Sequence, residues 1–134
     1  MENKQVESKT STFEDLRIYQ MARAFGQNIE KLIKKLPADE KYMLIQQMKR
    51  AKLSVTNNIA EGYGRYHFQE NIQFCRQSRG SVYELVDDFI ECFECGYIDA
   101  VECARLKSEA YKVIKALNGY IAKTKKMKEA ENRK

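Results

Sequence analysis

Hydrophobic side chains recur along this chain at alternating steps of three and four residues. Ile18, Ala22, Phe25, Ile29, Leu32 and Leu36 make the first run, and Leu44, Met48, Ala51, Val55 and Ile59 the second. The third is wider. Phe68, Ile72, Cys75, Val82, Val86, Phe89 and Phe93 form one stripe, and Phe74, Ser78, Ser81, Leu85 and Cys92 an adjacent one. Val101, Ala104, Ser108, Tyr111, Ile114, Leu117 and Ile121 make the fourth. This is the period of a helix face; sustained period-two alternation, the mark of a half-buried strand, is absent.

The punctuation agrees with four helices. Thr12, followed by Glu14 and Asp15, reads as a capped helix start. Pro37 closes the first run, Gly62-Tyr63-Gly64 reads as a chain break, and Gly96-Tyr97 ends the third run. Asp99-x-x-Glu102 has the capping-box pattern, with Asp in place of the usual Ser or Thr. Short connections make successive helices antiparallel neighbours. The pattern therefore predicts an all-α fold, an antiparallel up-down-up-down four-helix bundle in a single domain. Residues 1–12 read as a flexible N-terminal arm, 13–122 as the bundle and 123–134 as a basic C-terminal tail.

Composition narrows this further. At 134 residues the chain is one domain long. One Pro and six Gly are too few breakers for a turn-rich sandwich, barrel or propeller. No run of 18 or more apolar residues spans a membrane. The opening residues lack the apolar core of a secretory signal, so the expected location is cytoplasmic and the four cysteines are read as reduced thiols. Cys92-x-x-Cys95 with Cys103 invites a zinc reading, but tetrahedral zinc needs four converging ligands. A second Cys-x-x-Cys is missing and His67, the lone histidine, is distant. Packing is the preferred role for these cysteines, and neither a metal nor another cofactor is expected.

Polar residues interrupt the apolar faces. Ser54, Asn58 and Glu61 share one side of the second helix, with Arg50 a turn earlier, and Ser81 and Glu84 lie among core positions of the third. They read as a structural polar network of Ser54, Asn58, Glu61, Ser81 and Glu84, with Arg50 as counter-ion for Glu61 or Glu84. Gly80 in mid-helix costs about 1 kcal/mol relative to Ala, which predicts a close helix approach there. The sharper alternative makes Glu61 and Glu84 paired catalytic carboxylates or di-metal ligands. It lacks the Glu-x-x-His motif of di-iron bundles. Ser/His or Cys/His constellations and phosphate-cradling glycine loops are missing as well. No catalytic residue is expected.

Charge brings in a candidate function. The chain carries 24 Lys and Arg against 19 Asp and Glu, a formal +5. The excess is unevenly placed. Residues 67–98 hold only Arg76 and Arg79 against Glu70, Glu84, Asp87, Asp88, Glu91 and Glu94. Lys49, Arg50 and Lys52, with Arg65 after the second helix, form a compact basic cluster, and Lys123, Lys125, Lys126 and Lys128 form a basic tail. Arg can grip phosphate bidentately and Lys acts as a point charge. Tyr63 and Tyr66 flank Arg65 and could stack an unpaired base. An ordinary solvated helix face is the competing reading. Surplus apolar residues on the last two helices, among them Tyr83, Phe93, Tyr97 and Tyr120, predict a second buried surface and hence a homo-oligomer. Scattered exposed apolar residues are the alternative.

These residues also carry a resemblance. The stretch from Glu40 to Arg65 keeps Leu44, Gln47, Arg50, Ala51, Ser54, Val55 and then Asn58-Ile59-Ala60-Glu61-Gly62-Tyr63-Gly64-Arg65. It continues with Phe74, Arg79-Gly80-Ser81-Val82-x-Glu84-Leu85 and Gly96-Tyr97-Ile98, framed by Phe13-x-Asp15-Leu16 and Leu117-Asn118-Gly119-Tyr120-Ile121. Over residues 13–122 this resembles the bacterial "four helix bundle protein" family, also called the 23S-rRNA intervening-sequence protein family. Asn71, His67 and Ser78 depart from its usual apolar residue, Ser and Ala. The resemblance implies an antiparallel bundle that assembles as a homopentamer. It also implies kinship with the accessory variability proteins of diversity-generating retroelements, which bind nucleic acid and a reverse transcriptase. The expected function is thus a non-enzymatic, oligomeric nucleic-acid-binding accessory, with RNA as ligand and a reverse transcriptase as a partner. A protein-interaction scaffold without a nucleic-acid role is the alternative.

Overall fold

The structure, a computed structural model, describes residues 11–133. Four helices dominate: α1 (Arg17–Ile33), α2 (Leu44–Gly64), α3 (Phe68–Glu94) and α4 (Ala100–Asn132). No strand occurs among the described residues. The expected arm over 1–12 lies outside the described residues except for Ser11 and Thr12.

Cross-helix bonds fix the directions. Asn28 Nδ2 donates to Glu109 and Lys35 Nζ to Glu102, so α1 and α4 run antiparallel. Ser81 bonds Ser54, and Ser78 Oγ donates to the Val55 carbonyl, which sets α3 against α2. Asn71 Nδ2 donates to the Tyr120 hydroxyl, and the Cys103 thiol lies against the Phe89 carbonyl, which sets α4 against α3. Each helix pairs with two neighbours around one core. Phe25, Ile29, Met48, Ile59, Leu85, Phe89, Leu106 and Leu117 are fully buried there. Phe25 and Phe89 meet edge-on across it, with centroids 6.1 Å apart.

The ends of the elements show where local chemistry differs from the expected punctuation. Thr12 caps only a short 3-10 turn, Phe13–Asp15, with the reciprocal capping-box bonds in place. Leu16 is extended and α1 starts after it. A second 3-10 turn, Ala38–Glu40, follows Pro37, and α2 begins at Leu44. Gly62-Tyr63-Gly64 does not break the chain. It stays helical, and the turn follows at Arg65–His67 with Tyr66 in the left-handed region at φ 60°. Gly62 serves close approach instead: a Cβ there would lie 2.9 Å from Asn71 Oδ1 and 3.0 Å from Phe74 Cβ. At Gly80, where close approach was expected, a Cβ would meet nothing within 4 Å.

The end of α3 is a Schellman motif. Gly96 takes φ 79°, Gly96 N–H donates to Phe93 O and Tyr97 N–H reaches back to Cys92 O. Asp99 caps α4 by accepting from Glu102 N–H at 2.8 Å. The reciprocal half of the expected box is missing, because the Glu102 carboxylate turns to Lys35 and Arg105. The last helix also runs through the expected tail. Thr124 is buried with its hydroxyl on the Tyr120 carbonyl, and Lys128 Nζ donates to Gln69 on α3.

Candidate nucleic-acid interface

The α2 cluster divides in the structure. Lys49 and Arg50 are exposed and make no ion pair among the described residues. Lys52 turns inward along α1, its stem over Gly26 and its Nζ 2.8 Å from Glu30. That hydrogen bond, followed by the charges of Lys52, Lys49 and Lys34, lowers the Glu30 pKa against the opposing effect of burial. Lys52 is therefore shared with a carboxylate, whereas Lys49 and Arg50 stand at the surface without an ion pair among the described residues.

Arg65 is also engaged. Its Nε is 2.9 Å from Glu61, its Nη1 is 3.4 Å from Glu70, and its guanidinium sits 5.2 Å from the Phe74 ring centroid. It ties the end of α2 to the start of α3. Both ion pairs are exposed and contribute at most about 1 kcal/mol each. Tyr66 stands out into solvent beside it, while Tyr63 is half-buried with its hydroxyl on the Ser11 carbonyl. At the far end of α4, Lys123, Lys125 and Lys126 are exposed, and Lys128 is held by Gln69.

Of the expected polar network, three members converge and two do not. Ser54 Oγ accepts from Asn58 Nδ2 at 2.9 Å and from Ser81 Oγ at 2.7 Å, while Asn58 also donates to the Ser54 carbonyl. Glu61 and Glu84 are exposed and stand outside this network. The shared side of α2 is the edge of its interface with α3. A short Ser or Asn there must find a protein partner, whereas a Glu reaches water and avoids desolvation. Arg50, on the same edge, pairs with neither glutamate. The Ser54–Ser81 register also separates the two glutamates by about ten residues along the bundle, roughly 15 Å. The arrangement does not make them a carboxylate pair.

The cysteines sit mostly inside. Cys75, Cys92 and Cys103 are buried, and Cys95 is exposed with its thiol on the Glu91 carboxylate. Burial raises the Cys75 pKa to about 11 and, with help from Asp88, that of Cys92 to about 12. Such thiols stay protonated and behave as small apolar groups. No cluster of three His, Cys, Asp or Glu that could hold a metal ion occurs among the described residues.

Three features escaped the sequence reading. Asp88 is only 3% exposed and its Oδ2 has no hydrogen-bond partner among the described residues. Burial, followed by the charges of Asp87, Glu84 and Glu91, raises its pKa to about 7. The signal was present, since Asp88 falls between Leu85 and Cys92 on the same stripe as Ser81. Asn28 holds both carboxylate oxygens of Glu109, at 2.9 and 3.0 Å, across α1 and α4. Finally, Arg17, Lys112 and Lys115 line a groove with Lys123 on the α1–α4 seam. The three lysines lie on one face of α4, spaced 3 and 8 residues apart, a pattern visible in the sequence but masked by α4's high overall charge.

Residues 14–119 match the model of the family described as 23S rRNA-intervening sequence protein. The chain belongs to that family. The match spans the turn before α1, all of α1, α2 and α3, and most of α4, so the family's domain is the bundle itself. No curated protein matches this family member. The described helices of this intervening-sequence protein include none long and apolar enough to cross a membrane.

Proposed function

We propose that this protein binds RNA as a non-enzymatic accessory and that it does so as a homo-oligomer. The observation that carries the reading is the set of cations at Lys49, Arg50, Lys123, Lys125 and Lys126, exposed on helices and without an ion pair among the described residues. Such groups bind a polyanion without regard to sequence and release its counterions. The family's name, which ties it to an intervening sequence of 23S rRNA, is consistent with a nucleic-acid setting. Lys52 and Arg65 take part as secondary contacts, because each is already shared with a carboxylate.

Assembly is supported by apolar side chains left in water. Tyr83 and Tyr111 stack edge-on at 6.3 Å on the exposed side of α3 and α4, and Phe93 and Val101 are also exposed. Sedimentation should give a mass well above the 15.7 kDa of one chain. A monomer at micromolar concentration contradicts the assembly. The pentameric number and a reverse-transcriptase partner rest on family resemblance alone and form no part of this proposal.

The same apolar residues favour the second reading, a protein-interaction scaffold. Co-purification with and without nuclease separates the two. RNA-dependent association supports the accessory role. Full retention of a partner after nuclease, with no affinity for structured RNA at low salt, supports the scaffold.

A further inference from the structure

The seam between α1 and α4 contains a groove of about 860 Å³. Leu16, Met21 and Ala116 give it an apolar floor, and Arg17, Lys112, Lys115 and Lys123 stand along its walls. Asp15 is the one carboxylate lining it, and this group already accepts from Thr12 N–H at 3.1 Å. None of the four cations has an ion-pair partner among the described residues. Met21 and Lys112 also line a second depression of about 490 Å³ that continues to Arg105. Glu109 lines that part, with its carboxylate occupied by Asn28. From Arg105 to Lys123 the helix rises about 27 Å.

We infer that this groove is a binding site for single-stranded RNA, with phosphates held by Arg17, Lys112, Lys115 and Lys123. The inference rests on the RNA-binding reading and adds to the exposed cations named there a groove that shares Lys123 with them. Three features favour this ligand. Cations recur along the groove at three, eight and eleven residues' separation on one helix, which suits a ligand with charge at every repeat. An acidic peptide would need its carboxylates at that same uneven spacing. Gly119 lies between Lys115 and Lys123 on the same face, and its missing side chain leaves the wall open, since a Cβ there would meet nothing within 4 Å. Tyr120 lines the same groove, its hydroxyl anchored by Asn71 at 2.9 Å, and aromatic lining tolerates any base.

The test is fluorescence anisotropy with a labelled, unpaired 20-nucleotide oligoribonucleotide and the full chain. The variant combining Lys112→Gln, Lys115→Gln and Lys123→Gln should bind at least tenfold more weakly at low salt. Its log–log salt slope should fall by about two, at roughly 0.7 per lost phosphate contact. A charge-matched variant combining Lys31→Gln, Lys34→Gln and Lys41→Gln should lose less than threefold. Replacing the three groove lysines by Arg should retain binding, which separates charge loss from misfolding. Equal losses in the two Gln triples, or undiminished binding in the groove triple, would overturn the groove while leaving RNA binding intact. Displacement of the oligonucleotide by polyglutamate at equal charge concentration would instead assign the groove to an acidic protein segment. No binding by the unmodified chain would overturn the RNA reading itself.

Discussion

Single residues carry opposite consequences in similar surroundings. Gly62 and Gly80 both sit inside helices, yet only Gly62 lies against a neighbour. Gly80→Ala should stabilise the fold by about 0.5–1 kcal/mol through helix propensity. Gly62→Ala gains the same propensity but must displace Asn71 and Phe74, and overpacking costs about 1–3 kcal/mol, so it should lower the melting temperature. Urea denaturation of the two variants checks the contrast. Asp88 has a different signature. Its folded pKa of about 7 exceeds that of an unfolded Asp, so the native state binds the proton more tightly. The contribution of Asp88 to stability is therefore greatest at acid pH and is lost as pH rises towards 7, above which the buried carboxylate is ionised. Asp88→Asn should raise the melting temperature at pH 8 by several degrees and by progressively less as pH falls towards 4. A constant difference across that range would show that Asp88 acts through packing rather than ionisation.

At the scale of elements, the joint between α2 and α3 rests on a small polar cluster. Ser54 Oγ is the common acceptor for Asn58 and Ser81. Ser54→Ala leaves two donors with one partner fewer and should cost about 1–2 kcal/mol. The double variant Ser54→Ala with Ser81→Ala should cost less than the sum of the singles, as measured by a denaturation cycle. Helical periodicity made the four elements legible because each buries one stripe. Their ends were less so. Gly62-Tyr63-Gly64 looked like a break because glycine is permissive, but packing against Asn71 recruits Gly62 for proximity and the turn passes to Tyr66. The charged run after Ile121 looked like a separate tail because its net charge hides Thr124, which continues the buried face of Leu117 and Ile121 at steps of four and three. The glutamates at 61 and 84 share a helical face with the network, but periodicity does not distinguish the centre of an interface from its wet edge.

For the whole molecule, the chain's formal +5 is less informative than its partition. α3 carries an acidic excess, Lys52 and Arg65 are shared with Glu30, Glu61 and Glu70, and the unpaired cations lie on α2, along the α1–α4 seam and on the last turns of α4. The basic cluster on α2 was legible from sequence, because its members are adjacent. The groove was not, because Arg17 and Lys112 meet only once α1 and α4 are packed. A frame with separated acidic and basic surfaces should bind a polyanion through counterion release, and salt reports that directly. The decisive measurement is the affinity of the full chain for single-stranded RNA between 50 and 200 mM monovalent salt, a range over which phosphate-dominated binding falls steeply. Tight binding is expected at the low end, with a log–log slope of magnitude about three or more, since the four groove cations alone contribute roughly 0.7 each. Undetectable binding at 50 mM, or an affinity that salt leaves unchanged, would contradict it.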